Sequence, residues 1–327
     1  MGVLGYSCLT NPPGSIRTHS MANILRTIIR RWQELPGNLR GGLIILLGSF
    51  LSVVMSSLIK HVGQRIPVVE ILFIRQACVL LIISPIVLTN IRTVFKTNVA
   101  RLHILRASFA VIAMVTGFTA VVNLPLAEVT ALSFIRTLFA TLLAIVFLKE
   151  VVGIRRWAST IIGFIGVLII VRPDTGNFNV YALLAMTSAF FVAGINIVMR
   201  KLSQIDHPST IMAYLSIAIT TIMAGPAVYF WVTPGWEELL FIAAIGSLMS
   251  AMQWLFIQAF KVGEVAAISP VEYSRLIFAS IIGIAFFAEV PTVWTLTGAG
   301  IIIASTLYTM HRDAVRKQVR RPVQPNH

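Results

Sequence analysis

The sequence predicts an all-α integral membrane protein of ten transmembrane helices, arranged as two inverted five-helix repeats. Three observations predict it. Of the 327 residues 57% are apolar and only 12% charged, with a mean hydropathy of +0.86, whereas a soluble domain carries about 45–50% apolar and about 25% charged residues. Apolar stretches long enough to cross about 30 Å of hydrocarbon follow one another from Gly41 to Met310. Residues of the first half also recur in the second at a nearly constant offset. The composition excludes a disordered chain, a secreted disulfide scaffold and an ordinary cytosolic enzyme.

Residues 1–40 form a basic tail, with Pro12, Pro13 and Gly14 followed by Arg17, Arg26, Arg30, Arg31 and Arg40. The tail lacks the apolar core of a signal peptide. Ile24 to Leu35 is expected as a short basic amphipathic helix on the membrane surface, and either Met1 or Met21 can serve as the start. The first repeat, 41–172, holds spans near 41–59, 67–88, 101–122, 125–148 and 154–171. The second, 180–310, holds spans near 180–199, 209–232, 238–260, 264–287 and 292–310. Charged residues, Asn, Gly and Pro mark the breaks. Those at 123–125 and 261–263 are so short that span 3 with 4, and span 8 with 9, must form tight hairpins. Residues 311–327 are a second basic tail. Cys8 and Cys78 are expected as free thiols, one in a tail and one in a span.

Positive charge predicts the orientation. With the N-terminus cytoplasmic, 19 of the 26 Lys+Arg fall on the inner side and three on the outer, Lys60, Arg65 and Arg172. Cytoplasmic loops carry such an excess, so both termini are expected inside. The tails are then topology determinants touching anionic lipid. Basic charge spread between apolar spans is no nucleic-acid footprint.

The repeat is carried by particular residues. At an offset of 139, Arg136 matches Arg275, Phe139-Ala140 match Phe278-Ala279, Ile145 matches Ile284, Phe147 matches Phe286, and Glu150-Val151 match Glu289-Val290. At 137, Trp157, Thr160 and Gly163 match Trp294, Thr297 and Gly300. Five spans per half is an odd number, so the second half must run the opposite way through the membrane. Inverted repeats of this kind build transporters with a midplane substrate site.

At these residues the chain resembles a known family. The run from Leu124 to Phe134, continuing to Phe147–Glu150, Trp157 and Gly163–Gly166, resembles the EamA domain of the drug/metabolite transporter superfamily. Pro270–Arg275, Phe287–Glu289, Trp294 and Gly298–Gly300 resemble its C-terminal counterpart, so the resemblance covers roughly 41–310. It implies two EamA-like repeats that move small organic metabolites across the bacterial inner membrane by alternating access. It does not identify the cargo. Thr137 stands where the family's N-terminal domain often has a proline, which implies a straighter, less hinged span 4.

Ionisable groups at membrane depth are costly, about 2.5–3.5 kcal/mol for a central arginine on insertion scales. Arg75, Arg106, Arg136 and Arg275 need an explanation. Arg75 has Glu70 five residues earlier as a possible partner, and Arg106 can snorkel to the inner boundary. Glu272 and Arg275 are three apart, hence on one helix face and able to pair. Pro270 just upstream removes a backbone hydrogen bond. Glu272 is the only carboxylate within the second half's expected membrane core. It suits either proton coupling or neutralisation of Arg275.

Two equivalent guanidiniums, Arg136 and Arg275, favour an anionic or zwitterionic substrate, since each can hold a carboxylate bidentately. The candidate substrate-binding residues are Arg136, Arg275, Glu272, Tyr273, Gln253, Trp254, Phe134, Asn196 and Arg106, in a cavity between spans 3, 4, 6, 8 and 9. The expected function is secondary transport of a small organic metabolite, an amino acid or related carboxylate. Alternatives are uptake of a cofactor-like solute, a vitamin or nucleoside derivative stacking on Trp254 and Tyr273, or a non-transporting sensor or assembly protein of the same fold. Monomer and homodimer both stay open.

No G-x-x-x-x-G-K-[ST], H-E-x-x-H or G-x-S-x-G run occurs, so no ATP hydrolysis and no enzyme chemistry is expected. The six histidines, at 19, 61, 103, 207, 311 and 327, lack metal-ligand spacing. Neither a metal nor a cofactor is expected.

Overall fold

The computed structural model describes residues 35–89, 97–148, 154–172, 179–202, 204–263 and 268–319. Among them the regular structure is helical throughout. The chain runs through α1 (Gly37–Val62), α2 (Val68–Thr89), α3 (Ala100–Asn123), α4 (Leu126–Ser133), α5 (Arg136–Leu148), α6 (Ile154–Val171), α7 (Val180–Leu202), α8 (Pro208–Tyr229) and α9 (Trp236–Val262). A 3-10 turn (Ser269–Ser274), α10 (Arg275–Phe287) and α11 (Val293–Val319) complete it. Cys8 and, apart from Leu35, the expected surface helix lie outside the described residues.

In hydrocarbon a backbone can satisfy its polar groups only internally, so apolar runs of this length become helices whatever their β-branched content. Seven described stretches are long and apolar enough to cross a membrane: Gly37–Val62, Ala100–Asn123, Leu126–Leu143, Val180–Met199, Thr210–Tyr229, Trp236–Val262 and Pro270–Phe287. Trp157–Val171 and Val293–Tyr308 are shorter apolar helices. Their exterior is apolar too. Along α6, Trp157, Ile161, Ile165 and Leu168 are exposed while Gly163, Gly166, Val167 and Ile170 are buried. The exposed set recurs at helical spacing, so one stripe faces outward and it is greasy. Such a surface suits lipid rather than water.

Two expected spans are broken, and the first break corrects an expectation. Span 4 is not straight: α4 ends at Ser133 and α5 begins at Arg136. Across the break the backbone makes tight three-residue bonds, Phe134 N–H to the Ala131 carbonyl at 3.2 Å and Ile135 N–H to the Leu132 carbonyl at 3.1 Å. Hydroxyls take the place of a proline as the loosening device. Ser133 Oγ donates to the Thr130 carbonyl and Thr137 Oγ1 to the Phe134 carbonyl, and such back-bonding bends helices. Span 9 enters as a 3-10 turn with Pro270 at its start before α10 begins at Arg275. Each repeat-related arginine is therefore the first residue of the helix after a break.

The main packings are α1 with α9, α3 with α7, α6 with α11, α2 with α8, α5 with α7, α4 with α10 and α1 with α10. Small residues bring backbones together, as membrane packing requires. A Cβ on Gly166 would lie 2.7 Å from the Gly298 carbonyl oxygen, and one on Gly298 would lie 2.4 Å from that of Gly166. Between α3 and α7, a Cβ on Gly117 would lie 2.5 Å from Ser188 Oγ.

Polar contacts gather at the two ends of the bundle. At one end Lys60 Nζ donates to the Leu124 carbonyl at 2.6 Å and pairs with Glu289. The other Glu289 oxygen accepts the Leu126 N–H, at the start of α4, at 2.9 Å. Nearby Arg65 Nη1 donates to both Glu238 oxygens, at 2.7 and 2.8 Å. At the far end Asp206 Oδ2 accepts from Thr97 Oγ1 at 2.7 Å and faces His103 Nε2 at 2.6 Å. This ties the start of α3 to the turn before α8.

Candidate functional site

Between the helices lies a cavity of about 280 Å³, at the low end of the ~300–1,000 Å³ typical of small-molecule sites. It is lined by α1, α2, α3, α4, α5, α7, α9 and α10. Expected spans 1 and 2 thus join the five expected around it. Most of its wall is small or apolar, including Ile59, Ala113, Gly117, Val121, Ala185 and Ala189. Ser56, Thr130, Ser133 and Ser188 add hydroxyls, and three arginines border it: Arg75, Arg136 and Arg275.

The helix breaks explain two of them. Because α5 and α10 restart at Arg136 and Arg275, both guanidiniums lie beside the 3-10 turn that carries Glu272. Arg136 Nη2 pairs with Glu272 Oε1, and Arg275 Nη1 donates to the same oxygen at 3.2 Å. The side chains are 30%, 26% and 15% exposed for Arg136, Glu272 and Arg275. The pair is therefore half-buried and Arg275 deeper. One carboxylate shared between two guanidiniums leaves the cluster with one net positive charge. Arg275 Nε finds no acceptor among the described residues.

Tyr273, next in the turn, packs edge-to-face on Phe134 with ring centroids 4.8 Å apart. Phe134 is 2% exposed and sits in the core rather than on the cavity wall. The remaining candidates are placed elsewhere. Trp254 is 60% exposed and does not line the cavity. Asn196 lies on an exposed part of α7. Arg106 Nη1 donates to the Ile211 carbonyl at 3.1 Å, joining α3 to α8 away from the cavity. Gln253 belongs to α9, but its side chain lies outside the described residues.

Three charged residues left out of the candidate set prove prominent. Arg75 does not pair with Glu70, which accepts the Val232 N–H at 3.0 Å instead. It lines the cavity. Five residues along a helix is nearly one and a half turns, so the two side chains leave on different faces. Lys60 and Glu289 read in the sequence as loop charges, yet both are drawn into the bundle end. The Glu150–Glu289 match within the repeat was the available signal for Glu289.

Among the described residues no group of His, Cys, Asp and Glu could hold a metal.

The chain is similar to known proteins along most of its length. Residues 39–172 and 179–310 each match the EamA-like transporter family. The S-adenosylmethionine uptake transporter of Rickettsia felis is 29% identical over 271 residues, 83% of this chain and 91% of that one. The riboflavin transporter of Vibrio cholerae is 28% identical over 290 residues, 87% and 97% of the two chains. The pseudopaline exporter CntI of Pseudomonas aeruginosa is 27% identical over 270 residues, 82% and 94%. A crystal structure of another protein superposes with a TM-score of 0.54 over 86% of this chain and 98% of that one. At 16% identity that likeness bears on the fold alone.

Proposed function

The chain belongs to the EamA-like transporter family, which matches both of its halves, and from that premise we propose that it is a secondary transporter of a small anionic or zwitterionic metabolite. It is a multi-pass protein of a bacterial inner membrane, and its relatives are transporters of small molecules. An amino acid or related carboxylate is the cargo favoured here. The observation that carries this reading is the pair of guanidiniums on the cavity wall, Arg136 and Arg275, which share the Glu272 carboxylate. A substrate carboxylate would find guanidinium donors there. The cavity volume suits a small solute.

Alternating access between two inverted five-helix halves, 41–172 and 180–310, is part of the proposal. The packing pairs support it. In span numbering they are 1 with 8, 3 with 6, 2 with 7, 5 with 10, 4 with 9, 4 with 6 and 9 with 1. Exchanging the halves leaves that set unchanged. With both termini cytoplasmic, the Lys60–Glu289 end faces outward. C-terminal reporter fusions test the orientation: signal only from a periplasm-active reporter overturns it.

A second reading, a cofactor-like solute, draws on the relatives named for S-adenosylmethionine and riboflavin. Stacking on Trp254 gains no support from its exposed position, which leaves Phe118 as the aromatic face on the cavity.

Counterflow in proteoliposomes tests both readings, with labelled amino acids, carboxylates and vitamins and with or without a pH gradient. Exchange of a carboxylate or zwitterion supports the first. Exchange of a vitamin alone moves the assignment to the second. Binding without any exchange, by folded protein, overturns transport.

A further inference from the structure

We propose that Arg75 forms a second oxyanion subsite in the cavity, holding a carboxylate of the substrate that the Arg136–Glu272–Arg275 cluster does not reach. The proposal rests on the transport reading for its biological sense, although the subsite can be tested without transport.

Arg75 is 2% exposed and borders the cavity from α2. A guanidinium presents five N–H donors. Here Nη1 points at the Met249 thioether, 2.8 Å away, and Nη2 at the Met114 thioether, 3.3 Å away. Among the described residues, the oxygen that accepts from it is that of the Gln76 amide, at 3.5 Å from Nη2. The Phe118 ring lies under the guanidinium, 5.3 Å from its carbon. Nε has no acceptor among the described residues. Thioethers are weak acceptors, so this cation is almost without strong hydrogen bonds.

No carboxylate among the described residues pairs with it. The acids that do form pairs are committed elsewhere: Glu289 to Lys60, Glu238 to Arg65, Asp206 to His103, and Glu272 to two arginines. Glu70 serves the Val232 N–H. A buried charge left without a counter-charge is strongly unfavourable.

The surroundings nonetheless hold Arg75 in place. Gly246 leaves room for its stem, since a Cβ there would sit 3.7 Å from Arg75 Cγ. Gln76 Nε2 donates to Ser216 Oγ at 2.8 Å, which fixes the amide beside the guanidinium. A positioned, unneutralised arginine on a small apolar cavity is completed by an anion from outside the chain. Its planar fork matches a carboxylate. The cavity as a whole then favours a solute with two anionic ends, or one anionic and one zwitterionic end.

The test uses succinate as the probe and succinamide as its neutral counterpart, at matched ionic strength, on the full-length protein in detergent. Succinate is expected to raise the melting temperature of the wild type and succinamide not to. Arg75→Met should weaken apparent succinate affinity about ten- to a hundredfold, as expected for a lost charge-assisted contact, and Arg75→Lys should retain part of it. Without ligand, Arg75→Met should melt higher than wild type, because it removes an unpaired buried charge into a pocket of methionines and Phe118. A purely structural Arg75 predicts the reverse. Equal succinate shifts in wild type and Arg75→Met, or no preference for succinate over succinamide, overturn the subsite. Counterflow separates the two readings. Exchange that is equally fast and equally selective in Arg75→Met leaves transport standing and this inference fallen. A succinate shift that needs Arg75, in a wild type that exchanges nothing, does the opposite.

Discussion

Arg136, on the cavity wall, and Glu272, 136 residues away in the chain, meet as an ion pair. They come from the two halves of the molecule, so the pair is a point where the halves hold each other. Arg275 adds a second donor to the same carboxylate oxygen.

Removing Glu272 leaves two like charges facing one half-buried site. Glu272→Gln is expected to destabilise the protein by about 1–3 kcal/mol and to abolish any pH-gradient drive on counterflow. A double-mutant cycle of Arg136→Ala and Glu272→Ala should show coupling of about 0.5–3 kcal/mol. Strictly additive melting shifts would mean that the pair contributes nothing in solution.

The Glu289 carboxylate joins three parts of the chain, α1 through Lys60, the start of α4 through the Leu126 N–H, and the turn just after α10 that carries Glu289 itself. Glu289→Gln should loosen that end. In a Cys8→Ser, Cys78→Ser background, a cysteine at Ser56 on the cavity wall reports the opening. Labelling by a membrane-impermeant maleimide from the Glu289 side is expected to accelerate several-fold in Glu289→Gln. An unchanged rate would show that this contact does not hold the end shut.

Asp206, outside the helices, has a nearly buried side chain. Burial by itself would raise its carboxyl, but the hydrogen bonds from His103 and Thr97 and the closeness of His103 outweigh this and hold it below the ordinary carboxylate value. A depressed folded value means that the contact stabilises the protein above the ordinary carboxylate range near pH 4. That stability is lost as pH falls through the depressed value. Melting temperatures measured from pH 6 down to pH 3 should therefore fall more steeply for wild type than for Asp206→Asn. Parallel curves would exclude the linkage.

Ala288 follows α10 in a left-handed conformation, with φ 54°. A Cβ is strained there, by roughly 1–2 kcal/mol, and glycine is not. Ala288→Gly is expected to raise the melting temperature. Gly298→Ala, by contrast, would force a methyl against the Gly166 carbonyl and lower it, through a loss of about 1–3 kcal/mol of stability. The two substitutions should move the melting temperature in opposite directions.

Much of the fold was legible because a bilayer restricts what a chain can do. Uninterrupted apolar runs must be helical, and Pro125 stands at the start of α4 while Gly263 stands at the end of α9. Arg136, Arg275 and Glu272 stood out because charge is costly at that depth. The kink in span 4 was misread, since the hydroxyls of Ser133 and Thr137 replace the missing proline and their effect depends on which carbonyl they choose. Trp254 looked like a cavity residue by type alone, but a tryptophan is equally at home on a lipid-facing surface.

The amino-acid sequence by itself determined that this chain is helical, membrane-embedded and internally repeated, because hydropathy, charge and repeat spacing are properties of residues in order. Which side chains meet was decided only by tertiary structure. Glu272 finds Arg136 as well as Arg275, Glu289 finds Lys60, and Arg75 turns away from Glu70 to border a cavity. Each outcome depends on helix rotation and on where a helix breaks. A rotation of one residue, about 100°, carries a charged group from its partner to lipid, and that angle is set by packing between helices far apart in the chain.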